Sequence, residues 1–510
     1  ALQGVTNAPH RVRIDVNGRS AGELGFDGQV SGESRFALPQ SWFREGQNVI
    51  RLTPLAGASD VSLVDYIRIT YWHAYTAESN SLRFTAAGKQ IVTVDGFSNS
   101  QVRVFDVTDS NSIQELLGTI KKGSSGFNLT IAVQGLGQRT LLAMTGDRAE
   151  RAASVTANRP SGWRLPNQAA DLVIFTRGEF ASAIEPLRNL RQSQGLHTAI
   201  VDIEDVYDEF SYGNQSPQAL KDFLFYATSN WRLSPRFVLL AGDSSYDPKN
   251  YLGLGAYDLV PTRLIDTRFM ETASDDWFVD FDGDGAPEAA VGRLPVRTAL
   301  DAARIVAKLL SYHHSKLADD VLLVSDTNDG YDFESVSAQL RRLIPDTARV
   351  EEINRGQADA ATVRSNLLRA LSRGPRLVNY VGHGSSDQWR GNLLTSTDAG
   401  ALTNRQNLSL FFSMTCLNGF FHDPALESLA EGLLKSRGGA VAVWASSGMS
   451  EPGGQAAMDR EIFKLIFDSI SAGSLPQTIG EATTRAKAGV SDGDVRRTWI
   501  LFGDPSTRLR

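Results

Sequence analysis

Seven short, mostly apolar runs in the later two-thirds of the chain constrain its fold most: Leu172 to Thr176, Ala199 to Ile203, Phe237 to Leu240, Val321 to Val324, Arg376 to Val381, Leu410 to Met414 and Ala440 to Trp444. A strand with one wet face alternates apolar and polar residues, so unbroken runs mark strands buried on both faces. Helical signals fill the intervals. Ser216 is a fitting N-cap and Pro217 a fitting first residue for a helix reaching Ser229. Further helices are expected at Thr298 to His314, Phe333 to Leu343 and Ala425 to Ser436, the last stopped by Gly438-Gly439. Strand and helix in alternation predict a mainly parallel sheet covered by helices.

The chain before residue 160 reads differently. Strands are expected at Arg11 to Val16, Asn48 to Thr53, Val61 to Tyr71, Ile91 to Asp95, Val102 to Val107, Leu129 to Val133 and Leu141 to Thr145, between Gly, Asn and Ser turns, with one helix at Ser110 to Leu117. Short strands at this spacing suggest a sandwich, and the polar stretch Thr76 to Ser81 is a natural break. A length of 510 residues exceeds what one core usually serves. The organisation expected is a β-sandwich-like module over 1–78, a second β module and linker over 79–160, and an α/β region over 161–510 with lobes 161–297 and 298–510. Arg159-Pro160-Ser161-Gly162 and Pro166-Asn167 supply the linker signal.

Fifty-one Lys and Arg against 58 Asp and Glu give a net charge of −7 without long like-charge runs, which disfavours nucleic acid or an anionic membrane as the main partner. No apolar run approaches the ~18–20 residues of a membrane span. The opening Ala1-Leu2-Gln3-Gly4 has neither an initiator Met nor a signal-peptide core, so a processed or excised chain is expected. The one cysteine rules out an internal disulfide framework and leaves stability to packing.

In an open α/β sheet, functional groups collect beyond the carboxyl ends of strands. Gly382-His383-Gly384-Ser385-Ser386 follows one predicted strand, Thr415-Cys416-Leu417-Asn418-Gly419 another, and Ser325-Asp326-Thr327-Asn328-Asp329 a third. A thiolate nucleophile needs a nearby imidazole and a populated anion. Glycines beside His383 let backbone approach a substrate, the N–H groups of Gly384 and Cys416 suit an oxyanion, and Asp326 suits orientation of the imidazole. Each residue also has a plain packing or turn role, and position alone leaves both open.

Asn379-Tyr380-Val381-Gly382-His383-Gly384-Ser385 followed by Phe412-Ser413-Met414-Thr415-Cys416-Leu417-Asn418-Gly419 resembles the His and Cys segments of gingipain-like cysteine peptidases of the caspase-related clan. Phe237 to Asp243, Val291 to Pro295, Gly439 to Ala442 and Trp499 to Ser506 extend the likeness from about Asp171 to the end. The resemblance implies a caspase-like α/β sheet and an endopeptidase acting through a Cys416–His383 dyad and a thioester. It further implies Gly384 and Cys416 as oxyanion hole, Asp326 as acidic support, protein or peptide substrates, and a secreted or cell-surface bacterial setting. One departure concerns specificity: Ala445 to Gly454 lacks the Trp that closes the arginine-specific pocket. Met449 and Glu451 are therefore the pocket candidates, with Asp387 a second acid and Trp389 an aromatic expected near substrate.

Asp280-Phe281-Asp282-Gly283-Asp284-Gly285 reproduces the first half of an EF-hand loop, with Val291 where the twelfth-position Glu belongs. A structural Ca²⁺ held by Asp280, Asp282 and Asp284 needs a further ligand, for which Asp275, Asp276 and Glu288 are candidates. No cofactor is expected at the reacting centre. Two other functions share these residues: a sortase-like transpeptidase in which an amine resolves the thioester, and a non-enzymatic adhesin or scaffold whose β region contacts glycans or a cell surface. Product mass separates the first from hydrolysis, and a Cys416 that resists alkylation favours the second.

Overall fold

The computed structural model describes residues 1–150, 152, 154–155, 157, 160–255, 257–314, 320–471 and 477–508. Arg159 of the expected linker lies outside them. The chain forms two compact units, Ala1–Arg159 and Pro160–Arg510.

The first unit is strand-rich. Leu2–Gly4 pairs with Ser31–Gly32 and Ser62–Val64, and Pro9–Val16 lies between Arg19–Asp27 and Ile50–Pro54. A second group joins Ser81–Ala87, Gln138–Thr145, Val102–Asp106 and Gln114–Leu116, and a third joins Ile91–Phe97, Phe127–Ala132 and Gly118–Lys122. Two expectations fail here. The helix at Ser110 to Leu117 is replaced by a turn, in which Ser112 donates to the Asp109 carbonyl at 3.0 Å, and by the strand Gln114–Leu116. Arg103 grips Glu115 through two bonds of 2.8 Å, so cross-strand pairing wins over local helix propensity. The strand predicted over Val61 to Tyr71 stops at Val64, because its partner Leu2–Gly4 is only three residues long.

The second unit is built on one ten-stranded sheet. Its strands in chain order are β1 (Leu172–Thr176), β2 (Thr198–Asp202), β3 (Phe237–Ala241), β4 (Ala290–Leu294), β5 (Asp320–Ser325), β6 (Arg349–Asn354), β7 (Leu377–Val381), β8 (Ser409–Met414), β9 (Ala440–Ser446) and β10 (Trp499–Phe502). Their order across the sheet is β2-β1-β3-β4-β10-β9-β8-β7-β5-β6. The sheet is mixed because β10 runs antiparallel to β9, while β9, β8, β7, β5 and β6 pair in parallel. A single bridge, Arg293 opposite Phe502, joins β4 to β10, so one sheet spans both expected lobes. The inner strands β1, β3, β4, β7, β8, β9 and β10 are buried along their whole length, as their apolar runs require.

Arg293 ties the middle of this sheet together. It is fully buried, and all five of its N–H donors are used: two on Asp275 at 2.6 and 2.8 Å, and three on the carbonyls of Gly242, Val260 and Pro261 at 2.8 to 3.0 Å. Beyond β4, Arg297 binds the carbonyls of Asp423 and Pro424, and the Tyr246 N–H donates to the His422 carbonyl at 2.9 Å. The segment leaving β8 is thus anchored by the segments leaving β3 and β4. Replacing Arg293 with Met strands the Asp275 carboxylate and three carbonyls in the interior. Denaturant unfolding of the second unit should register a loss of about 3–5 kcal/mol, whereas a loss below about 1 kcal/mol would show that the network contributes little.

Candidate active site

Val381 is the register partner of Met414, and His383 and Cys416 each lie two residues past that pair. Adjacent strands run about 4.8 Å apart, so the hydrogen-bond register of β7 and β8 brings the backbones of His383 and Cys416 to neighbouring strand ends. Close packing then fixes the loops. A Cβ on Gly382 would fall 2.5 Å from the Asp326 Cβ, and one on Gly384 would fall 2.8 Å from Thr415 Oγ1 and 3.1 Å from Asn418 Nδ2. Only glycine lets the His loop lie against the Cys loop at this distance.

Asn418, two residues after the cysteine and fully buried, joins the loops directly. Its Nδ2 donates to the Ser385 carbonyl at 2.6 Å and to the Gln388 carbonyl at 3.2 Å. Between them, Leu417 adopts a left-handed conformation at φ 62°. Such a residue costs of order 1–3 kcal/mol unless its surroundings hold it. Here the Leu417 N–H donates to the Gly448 carbonyl at 3.1 Å and the Asn418 N–H to the Cys416 carbonyl at 2.8 Å. The turn leaves Cys416 half-buried at its apex, and among the described residues no carbonyl accepts from the Cys416 backbone N–H.

The thiol faces the segment after β9. Sγ lies 3.6 Å from the Ser450 carbonyl, and Gln455 Nε2 lies 3.9 Å from Sγ and 3.2 Å from that same carbonyl. Burial raises the thiol pKa, and the Glu451 carboxylate adds to the rise, so the resting group is the neutral thiol. No hydrogen bond links Sγ to the imidazole among the described contacts. The His383 ring is about half exposed, stands edge-on to Phe333 at 5.2 Å, and points Nε2 at Asp329 Oδ1, 3.2 Å away.

Asp326 was expected to orient that ring, and it does not touch it. Its buried carboxylate accepts the His383 backbone N–H at 3.2 Å and the Thr327 N–H at 2.8 Å, and pairs with Arg355 at 2.8 Å. The acid on the ring is Asp329, three residues on in the same loop, whose pKa is lowered by hydrogen bonds from Arg390 and then from His383. Asp326 therefore holds the backbone of the His loop, and Asp329 the side chain. Trp389 also departs from expectation: it is fully buried and stacks on Tyr380 at 4.1 Å and 8°, so it packs under the His loop instead of meeting substrate. Met449 and Glu451 flank Ser450, whose carbonyl faces the thiol, and both are open to solvent. Glu451 pairs at 3.4 Å with Arg268 from the hairpin Arg263–Asp266 and Glu271–Ser274. Asp387 instead accepts from Ser385 Oγ at 3.0 Å.

Asp280, Asp282, Asp284 and Glu288 bring carboxylate oxygens within 4.8 Å of one another. Counting from Asp280, they occupy positions one, three, five and nine of an EF-type loop, and Gly285 at position six has φ 81° as the sharp turn requires. Of the three candidates for a further ligand, Glu288 is the one that lies with the aspartate trio. Asp275 pairs with Arg293 and Asp276 with Lys487, so neither is available.

A sequence model of peptidase family C25 matches residues 165–510. Among characterised proteins, Gingipain R2 and Gingipain R1 of Porphyromonas gingivalis are each 30% identical to this chain over 163 residues. That stretch is 30% of this chain, 22% of Gingipain R2 and 16% of Gingipain R1, so the alignment spans less than a quarter of either relative. Among solved structures, the Arg-specific cysteine proteinase gingipain R (RgpB) superposes with a TM-score of 0.55 at 20% identity, covering 68% of this chain and 79% of that one. Dimeric latent PorU of P. gingivalis superposes at 0.53 and 15% identity, covering 100% of this chain and 47% of that one. These likenesses establish the fold.

The neutral resting thiol makes a prediction. Iodoacetamide alkylation of Cys416 should rise along a single titration with its midpoint above the ~8.5 of a free thiol. A plateau already reached at pH 6–7 would mean a resting thiolate–imidazolium pair and would contradict this geometry.

Proposed function

The chain belongs to peptidase family C25, and on that premise we propose that it is a cysteine endopeptidase in which Cys416 attacks the scissile carbonyl and His383 handles the proton. The observation that carries this reading is the placement of both residues two positions past the paired ends of β7 and β8, in loops clamped by Asn418. As substrate enters, the Sγ proton passes to the imidazole and sulfur bonds to the carbonyl carbon. The carbonyl electron pair moves onto oxygen, facing the N–H groups of Cys416 and Gly384. Collapse of that intermediate breaks the C–N bond, and the imidazolium gives its proton to the departing amine. Water then attacks the thioester, with the imidazole as base, and frees the acid and the thiol. The carboxylate of Asp329 holds the imidazole's orientation through this cycle, and Asp326 keeps the loop in place. A caspase-like descent of the sheet is part of the same reading.

The kinship supports protein or peptide substrates and a secreted or cell-surface setting. Among the described residues no helix is long and apolar enough to cross a membrane. Met449 and Glu451 form the specificity wall in this proposal. Glu451 is engaged by Arg268 through an exposed pair of the kind worth about 0–1 kcal/mol, which a cationic substrate side chain displaces. The loop of Asp280, Asp282, Asp284 and Glu288 is proposed to hold a structural Ca²⁺. Calcium should raise the melting temperature by a few degrees over chelator, an effect lost in Asp282→Asn; identical melting with and without calcium would remove the site.

Digestion of a peptide library by the reduced chain, with products identified by mass, tests the function. Cys416→Ala should abolish cleavage, His383→Ala should lower kcat by about 10²–10⁴, and each cleavage should add one water. Products carrying an amine in place of water would make the chain a transpeptidase, and unchanged cleavage by Cys416→Ala would end the mechanism.

A further inference from the structure

Strand β7 carries one polar side chain into the core, Asn379, four residues before His383. Its Nδ2 donates to Oδ2 of Asp459 at 2.9 Å, and both residues are fully buried. Asp459 lies in the helix Pro452–Ser471, one turn after Gln455, the residue whose Nε2 approaches Cys416 Sγ. Positions four apart share a helix face, so this helix touches the nucleophile with one side chain and the His strand with the next.

The pair is short of donors. Asn379 Oδ1 and Asp459 Oδ1 are both buried with no hydrogen-bond partner. Two orphaned acceptors on one contact would cost the desolvation of each. A carboxylate offers no donor, whereas a carboxylic acid offers one O–H, and an amide opposite a carboxylic acid can close a ring of two hydrogen bonds. One proton therefore removes both deficits.

We propose that Asp459 is held as the neutral carboxylic acid and that its proton closes a two-bond ring with the Asn379 amide, locking the His383 strand to the helix beside Cys416. The charges around it leave the carboxyl uncompensated. Strands β7 and β8 bring no charged side chain. The packed helix Phe333–Arg341 brings Glu334 and Arg341, and Ile479–Ala488 brings Glu481, Arg485 and Lys487. On the helix itself Glu461 and Lys464 pair with each other, and the adjacent Arg460 is the one charge that bears on Asp459, as the smallest of three influences. Burial dominates and pushes the carboxyl pKa up to about 8.

The sign of the linkage follows. The unfolded-chain value is about 3.9, so between roughly pH 4 and pH 8 the folded chain holds a proton that the unfolded chain has released. Stability from this group is greatest below that window and declines as pH rises through it. Asp459 is then a positioning residue with a titration signature.

Asp459→Asn in the full chain tests this, because an amide facing an amide keeps a two-bond ring and has no proton to lose. Denaturant unfolding of both proteins from pH 5 to pH 8 should show the wild-type folding constant falling, relative to the variant, by about tenfold per pH unit. A carboxylic-acid carbonyl band should appear in the wild-type-minus-variant infrared difference spectrum at pH 6, which cancels the band of another buried acid, Glu431. If the single variant does not fold, the swap Asn379→Asp with Asp459→Asn rebuilds the ring and should keep the wild-type band and slope. Parallel pH profiles with no acid band in the difference spectrum, or a swap that folds with neither feature, would overturn the proposal.

Discussion

The pairing of β7 with β8 is the constraint from which the rest of the catalytic unit follows. Both strands are buried on both faces, so a slip in register would disrupt two layers of packing at once. With Val381 fixed against Met414, the first residues free of the ladder are Gly382 and Thr415, and the next are His383 and Cys416. The chemistry needs nothing more elaborate than two neighbouring strands ending together. What it does need is loops that do not wander, and Gly384, Asn418 and the strained Leu417 turn provide that.

Buried polar groups do the remaining positioning. Arg293 saturates its donors at the centre of the sheet, and Asp326 spends its carboxylate on the backbone of the His loop and on Arg355. At the Asn379–Asp459 contact, conventional protonation leaves a buried oxygen without a donor on each side. Cys416 and His383 sit in half-exposed loops, and Asn418, Asn379 and Asp459 beside them are buried.

Seven of the ten strands were legible because burial erases polar alternation, and Leu172 to Thr176 was placed to the residue, whereas the fully buried Ala290–Leu294 and Trp499–Phe502 were not read as strands. Arg349–Asn354 escaped because an edge strand keeps Glu351 and Glu352 at intervals that look like loop or helix. Cys416 and His383 stood out through their position after buried strands and their resemblance to known motifs. Asp326 and Asp329 could not be told apart, since they lie three residues apart in an irregular loop whose backbone direction no periodicity reveals. Trp389 misled for a related reason: nearness in sequence to His383 says nothing about which side of the loop a ring packs on, and stacking on Tyr380 took it inward. In the first unit, Val61 to Tyr71 has the alternation of a long strand, but pairing length is set by the partner, which the local pattern does not contain.

The central claim is that one thiol is acylated beside one imidazole. The direct measurement is intact and peptide-mapped mass spectrometry of the reduced chain after reaction with a peptidyl acyloxymethyl ketone, alongside the His383→Ala variant. The account expects a single covalent adduct, on Cys416, forming far more slowly in the variant. A chain that cleaves peptides while Cys416 stays unmodified, or that labels equally fast without His383, would contradict it.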